Sequence, residues 1–163
     1  MWPMRKVIIN STPLIALSKA NQLDLLKAMY GDVYIPRAVY HEVIEKNDVV
    51  REKVESCDWI YVEAVQNATD RQMYKAKLHA GEVEVMMLAQ EYGKEHLVVI
   101  DDNQARKAAE YLGLNLTGTI GVLIKAKQRG LIHSVMPIVK SMELHGIYFS
   151  EGLKERVRRI AGE

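Results

Sequence analysis

The chain alternates short apolar runs rich in β-branched residues with longer segments whose apolar residues recur every three or four positions. Runs of the first kind predict buried strands, and segments of the second kind predict amphipathic helices. The predicted strands cover 6–10, 33–35, 59–65, 97–100 and 115–117. The predicted helices begin near 12, 22, 36, 47, 81, 103, 120, 133 and 153. This alternation predicts an α/β fold with a parallel sheet that is covered by helices on both faces.

The 163 residues fit one domain, and no repeat or linker interrupts them. We therefore expect a single domain over 1–163, with a core at about 6–147 and a C-terminal helix at about 150–161. Ligand sites in such sheets form beyond the carboxyl ends of the strands. This rule directs attention to 10–12, 101–102 and 117–119.

Apolar residues make up 48% of the chain, which is typical of a folded globule rather than a disordered chain. Its single cysteine, Cys57, excludes an intrachain disulfide and a cysteine-rich metal site. Because no apolar run is long enough for a membrane span, we expect a soluble, cytoplasmic protein. The net charge of +1 hides a division along the chain, since the last 45 residues carry eight Lys or Arg and four Glu. Near-neutrality therefore does not argue against a nucleic-acid substrate.

Glu82 is the most informative single residue. At about 100° per residue, it lies in the middle of an apolar helical face, whereas Glu84 and Glu91 fall on the opposite, polar side. A carboxylate on an apolar face is costly unless it is paired or binds a cation. The alternative is a wet first turn, where the helix dipole favours an acid.

Further acids and hydroxyls follow other predicted strands. Asp101 and Asp102 come directly after an apolar strand, so they could bind a hard cation such as Mg²⁺. Alternatively, one of the two, with Asp101 favoured, could cap the next helix. Glu42 lies at the edge of an apolar helical face, as ordinary boundary glutamates also do. The remaining candidates are neutral oxygen donors that also suit turns and helix caps, with Thr12 and Thr119 as the expected N-caps. They are Asn10, Ser11, Thr12, Thr117 and Thr119.

Five segments, in this order, resemble the PIN domain, the ribonuclease fold of the VapC-type toxins. They are VIINSTPLI at 7–15, IPRAVYHEV at 35–43, AGEVE at 80–84, VIDDNQAR at 99–106 and LTGTIG at 116–121. The similarity is closest to a branch of small prokaryotic PIN-like proteins. It implies a three-layer α/β/α sandwich with a five-stranded parallel sheet and an acidic pocket at the carboxyl edge.

The resemblance also implies the site. Glu42, Glu82 and Asp102 correspond to family acids that hold Mg²⁺ or Mn²⁺, with Asp101 close by as a further catalytic acid. Asn10 stands where the family usually has Asp, and Thr117-Gly118-Thr119 replaces its last acid. Fewer negative charges weaken divalent-ion binding, so we expect one metal ion rather than two.

The activity implied by the resemblance is metal-dependent hydrolysis of RNA, with Ser11, Thr12, Thr117 and Thr119 in support of the acids. Family members often act as toxins that are silenced by a small antitoxin, and they often form homodimers. The alternative is a weakly active or inactive PIN-like protein with a binding or regulatory role. The basic residues expected to contact RNA are Lys125, Lys127 and Arg129. For the basic residues of the C-terminal helix, the alternative is an ordinary solvated helix face.

Overall fold

The structure of the chain is a computed structural model that describes residues 5–46, 48–66 and 78–163. Five strands form one parallel sheet, as the alternating sequence pattern predicts. Their order in the sheet is β3-β2-β1-β4-β5. The strands are β1 (Lys6–Ile9), β2 (Val33–Pro36), β3 (Ile60–Glu63), β4 (His96–Val99) and β5 (Leu116–Thr117). The predicted α/β class and the predicted five-stranded parallel sheet are confirmed.

The helices of the described residues each overlap a predicted helical segment. They are α1 (Ser11–Lys19), α2 (Asp24–Tyr30), α3 (Arg37–Lys46), α4 (Asp48–Glu55), α5 (Ala80–Tyr92), α6 (Asn103–Tyr111), α7 (Thr119–Gln128), α8 (Met136–Leu144) and α9 (Glu151–Ala161). Position 47, where one helix was predicted to begin, lies outside the described residues. None of the described helices is both long and apolar enough to cross a bilayer.

Most predicted helix starts differ from the observed ones by one to three residues, and the largest difference is at α8, which begins at Met136 rather than near 133. Asn10, not Thr12, occupies the N-cap position of α1. This start is compatible with Pro13, which lies in the first helical turn, where a missing N–H costs no helical hydrogen bond. Pro36 ends β2, where it lies opposite Glu63, and α3 begins one residue later.

The core lies on both faces of the central strands. Val7, Ile8 and Ile9 of β1 are fully buried, and so are Val98 and Val99 of β4. Helix α5 contacts β1, β2, β4 and α3, and it is buried along its length from 81 to 89. A helix buried on nearly every side places even its polar residues against neighbouring elements.

The sheet has its topological switch point between β1 and β4. The chain leaves β1 toward β2 and β3 on one side, then returns to β4 and β5 on the other side. The backbone N–H of Asn10 donates to Val99 O at 3.0 Å, which joins the carboxyl ends of the two strands. The crevice beyond a switch point is the usual ligand site in open parallel sheets.

Candidate active site

Asn10 and Ser11 lie at the carboxyl end of β1. Asn10 is 4% exposed, and within the described residues no group donates a hydrogen bond to its Oδ1. The Ser11 hydroxyl donates to Glu42 Oε2 at 2.7 Å. The two residues that follow β1 therefore supply the buried, unsatisfied Oδ1 of Asn10 and the Ser11 hydroxyl, which holds Glu42 of α3.

The Glu42 carboxylate is fixed from two sides. Its Oε2 accepts the Ser11 hydrogen bond, and its Oε1 lies against the backbone of Gly81 in the first turn of α5. A Cβ placed on Gly81 would be 2.6 Å from that oxygen. Real Cβ contacts are not this short, so the missing side chain at position 81 gives Glu42 its place beside α5.

Glu82 lies in the first turn of α5, as the alternative expected, but it is buried, with 8% of its surface exposed, so the expected wet environment is wrong. Burial raises the pKa of the Glu82 carboxyl, and the negative charges of Asp102 and Glu42 raise it further. A long hydrogen bond of 3.4 Å from the His79 backbone N–H to Oε2 and the charge of His79 oppose this rise only in part. Asp102 at the start of α6 and Glu42 of α3 therefore both act electrostatically on Glu82 of α5.

The two adjacent aspartates have different roles. Asp102 occupies the N-cap of α6, where its Oδ2 accepts from the backbone N–H of Ala105 at 3.0 Å. Its side chain is otherwise exposed. The prediction that Asp101 caps this helix is wrong, because α6 begins at Asn103 and the cap is the residue directly before it.

Asp101 binds the start of α7 instead. Its two oxygens accept from the backbone N–H of Thr119 at 2.8 Å and from the Thr119 hydroxyl at 2.6 Å. Gly118, not Thr119, holds the N-cap position of α7. A Cβ on Gly118 would be 2.7 Å from Asp101 Oδ1, so this glycine allows the close approach. The Asp101 carboxylate is thus already engaged by protein donors.

Other predicted supporting residues surround this edge. Thr117 ends β5, and its hydroxyl lies so close to Gly121 that a side chain there would collide with it. Thr12 is exposed in the first turn of α1. Arg106, which sequence reasoning did not select, donates from Nη1 to Ile100 O at 3.0 Å and brings a guanidinium to the same strand end.

Glu84 is a second residue that sequence reasoning missed. It is not on a solvated face, since it is 7% exposed and its Oε1 accepts from the backbone N–H of Ala38 at 3.2 Å. The helical period correctly placed Glu84 opposite to the core-facing stripe. It gave no sign that α3 packs on that side of α5, which follows only from the tertiary fold.

The residues at this edge fit a hydrated divalent cation. Carboxylate and carboxamide oxygens are hard ligands, and the unsatisfied Asn10 Oδ1 is a buried acceptor that a cation or its water would satisfy. Within 5–46, 48–66 and 78–163, no group of three or more His, Cys, Asp or Glu side chains is arranged to hold a metal by itself. Mg²⁺ commonly keeps several waters and uses only one or two protein carboxylates, which agrees with this arrangement.

The three basic residues expected to contact RNA lie toward the other end of α7 from Thr119. Lys127 donates to Ala161 O and to Glu163 Oε2, and Arg129 donates to Met29 O at 3.2 Å. In the described part of the chain, the exposed Lys125 side chain forms no ion pair or hydrogen bond. Two of the three cations therefore have intramolecular partners.

Comparison with known proteins yields one family. A family model described as a PIN domain matches residues 6–163, which is nearly the whole chain. A search of curated proteins gives no match.

Proposed function

Because this chain belongs to the PIN-domain family, whose fold is nuclease-like, we propose that it is a metal-dependent ribonuclease that hydrolyses RNA phosphodiester bonds. One observation carries the proposal. The buried Glu82 carboxylate lies within electrostatic reach of Asp102 and Glu42, at the carboxyl edge of the sheet where Asn10 follows β1. Such a concentration of negative charge is stable only with a cation or a bound proton.

Asn10, Glu42, Glu82 and Asp102 would hold Mg²⁺ or Mn²⁺, with one or two of the carboxylates as direct ligands and the others acting through the water shell of the ion. When bound, such an ion polarises a phosphate oxygen and lowers the pKa of a nearby water. Asp102 is the most exposed of these acids, and its Oδ1 takes no part in capping α6. We therefore assign to Asp102 the role of the base that accepts the proton of the attacking water. Ser11 orients Glu42, and Asp101 secures Thr119 and the start of α7.

The RNA backbone needs positive charge near an acidic pocket. Arg106 lies at the carboxyl end of β4, and Lys125 is exposed on α7, so we assign phosphate contacts to these two residues. Lys127 would contribute only by giving up its internal partners, whereas Arg129, like Arg106, uses one of its five N–H donors on a backbone carbonyl and could still contact phosphate with the others. Cleavage should weaken as salt rises, because phosphate contacts release counterions. In the cell, the proposed ribonuclease is a cytoplasmic toxin that forms a homodimer and is silenced by a small antitoxin.

The decisive experiment compares cleavage of single-stranded RNA in Mn²⁺ by the wild type, Glu82→Gln and Asp102→Asn. Asparagine caps helices as well as aspartate does, so Asp102→Asn removes charge while it keeps α6 stable. We expect Asp102→Asn to lose at least about 100-fold in rate, the lower end of the usual acid–base contribution, and Glu82→Gln to lose rate through weaker metal binding. Chelation with EDTA should abolish wild-type cleavage.

Glu110→Gln is the matched control, because it neutralises an exposed acid at the far end of α6. It should cleave at the wild-type rate. Wild-type cleavage in Mn²⁺ no faster than that of a Glu82→Gln/Asp102→Asn double variant would refute the ribonuclease proposal.

A second candidate is a PIN-like protein that binds or regulates without appreciable catalysis. It is favoured by the neutral Asn10, by the engaged Asp101 carboxylate and by the lack of a three-ligand group among the described side chains. Calorimetry that detects Mn²⁺ binding without turnover on any nucleic acid would favour this candidate. So would strong metal-dependent cleavage that appears only after Asn10→Asp.

A further inference from the structure

The first turns of α5 meet α3 through Gly81 and Glu84, two residues to which the proposed mechanism assigns no role. Gly81 and Glu84 are three residues apart and lie on the same side of α5, while Ala38 and Glu42 are four apart and share one side of α3. Two contacts join these sides, since Gly81 lies against Glu42 and the Glu84 carboxylate accepts from the backbone N–H of Ala38. Glu82 lies about 100° around α5 from Gly81.

The contact at Gly81 admits no side chain without movement of Glu42. An added Cβ would lie 2.6 Å from Glu42 Oε1, 3.2 Å from Glu42 Cδ and 3.3 Å from Val39 Cγ2. The closest atoms belong to the end of a flexible side chain, so the fold can accept the change by turning the carboxylate away. Position 81 therefore controls where the Glu42 carboxylate lies, more than whether α3 forms.

The contact at Glu84 fixes α3 one turn before Glu42. Ala38 is the second residue of α3, so its N–H has no partner within the helix. Glu84 Oε1 satisfies this N–H at 3.2 Å from a site that is 7% exposed. A buried carboxylate at a helix start is stabilised both by the hydrogen bond and by the helix dipole, so it anchors α3 to α5 at this point.

We infer that Gly81 and Glu84 are positioning residues that fix the Glu42 carboxylate beside Glu82. Gly81 sets how closely the carboxylate approaches α5, Glu84 sets the position of α3 against α5, and Ser11 holds the other carboxylate oxygen. The catalytic meaning of this arrangement rests on the proposed ribonuclease function. The arrangement itself is a property of the helix pair and can be measured without any metal or RNA.

Two readouts test the inference. The first is the ¹³C chemical shift of the Glu42 side-chain carboxyl in metal-free protein labelled with [¹³C]glutamate, assigned by its loss in Glu42→Gln. The second is the dissociation constant of Mn²⁺ alone, from the electron paramagnetic resonance signal of the free ion. A general loss of stability in a protein that remains folded would move neither readout.

Gly81→Ala should move the Glu42 signal and weaken Mn²⁺ binding about 10-fold, the lower end of the usual effect of residues that orient metal ligands. Its matched control is Gly152→Ala, because Gly152 is likewise the second residue of its helix and an added Cβ there meets no atom within 4 Å. Both substitutions favour helix formation equally. Gly152→Ala should leave the Glu42 signal and the Mn²⁺ affinity unchanged.

Glu84→Ala should also move the Glu42 signal and weaken Mn²⁺ binding about 10-fold. Glu84→Gln should restore both, because the amide oxygen still accepts from Ala38. Glu91→Ala is the control, since Glu91 also accepts a backbone N–H, from Gln66, but near the other end of α5.

An unmoved Glu42 signal in folded Gly81→Ala and Glu84→Ala would overturn the inference, as would a Glu84→Gln signal displaced as far as that of Glu84→Ala. A wild type that binds no Mn²⁺ and cleaves no RNA would instead refute the proposed function. In that case the Glu42 signal still decides the positioning role.

Discussion

Asn10 combines deep burial with an acceptor that has no donor in the described part of the structure. A buried, unsatisfied polar atom costs about 1–3 kcal/mol, so its persistence indicates that something satisfies it in the working protein. The neighbouring acids Glu42 and Glu82 attract cations, and a hydrated cation would supply both charge and water. The neutral carboxamide therefore limits how strongly the site depends on that cation.

Asn10→Asp should make the stability of the protein dependent on metal. In EDTA the new buried charge should lower the free energy of unfolding by about 2 kcal/mol, because it is desolvated beside other acids. Addition of Mn²⁺ should reverse this loss, since the ion binds the folded state more tightly than before. Thermal unfolding with EDTA and with Mn²⁺ measures both effects.

Asn21→Asp is the control for Asn10→Asp. Asn21 is exposed and already accepts from Lys53 Nζ, so the added charge there keeps a cationic partner. Its unfolding temperature should respond to Mn²⁺ no more than the wild type does. An Asn10→Asp protein whose stability is the same in EDTA and in Mn²⁺ would contradict the assignment of Asn10 to the cation site.

At the scale of elements, Asp101 joins β4 to α7. The Thr119 N–H and hydroxyl both donate to this one carboxylate, and Thr119 is 1% exposed. Hydrogen bonds to a charged group that is partly removed from water are stronger than those between neutral groups. Asp101 therefore fixes the start of α7 at the carboxyl edge of the sheet.

Substitution of Asp101 and Thr119 should be non-additive. Thr119→Val removes only the hydroxyl donor, so its coupling with Asp101→Ala in a double-mutant cycle reports that one bond. We expect a coupling free energy of about 1.5 kcal/mol from urea unfolding. Thr12→Val, an exposed site on α1, should instead be additive with Asp101→Ala. Additivity of Thr119→Val with Asp101→Ala within about 0.5 kcal/mol would contradict the role assigned to the pair.

The order of strands and helices could be predicted because helices bury residues at a period of 3.6, whereas a strand buried on both faces is a continuous apolar run, as Val7, Ile8 and Ile9 are in β1. The site edge followed from the rule for parallel sheets, which placed Asn10, Asp101 and Asp102 correctly at strand ends. Helix caps were predicted less well. A shift of one residue in a helix start exchanges the roles of Asp101 and Asp102, and local sequence does not fix such a shift.

The roles of Gly81 and Glu84 could not be predicted, because they depend on which helix packs against α5. Helical periodicity distinguishes one face from its opposite, and it treats the opposite face as solvated. In this fold that face meets α3, so a residue expected in water is buried at a helix start. Contacts between helices distant in sequence carry no signature in the period of either helix.

At the scale of the whole molecule, charges in the last 45 residues hold helices together as well as facing solvent. Glu163 accepts from Lys127 of α7 at 2.8 Å and from the backbone N–H groups of Val135 and Met136, at the start of α8, at 2.8 and 3.0 Å. One side chain that follows α9 thus connects three helices. Burial alone would raise the pKa of Glu163, but these hydrogen bonds outweigh it and lower the pKa from 4.5 to about 2.

A carboxyl whose pKa is lower in the folded than in the unfolded chain stabilises the fold above its unfolded value, and this stabilisation disappears as the pH falls toward the folded value. Glu163→Gln should therefore lower the free energy of unfolding at pH 7 by about 1 kcal/mol, since the ion pair is partly exposed. The difference from wild type should shrink between pH 4.5 and about pH 2, where the wild-type carboxyl also becomes neutral. Urea unfolding at pH 7, 4.5 and 2.5 measures this difference in the free energy of unfolding.

The control is Glu155→Gln, which removes an exposed ion pair with Arg158 on the same helix, α9. It should change the free energy of unfolding by less than about 0.5 kcal/mol at every pH. A Glu163→Gln deficit that is equal at pH 7 and pH 2.5 would show that the side chain acts through packing rather than through its charge.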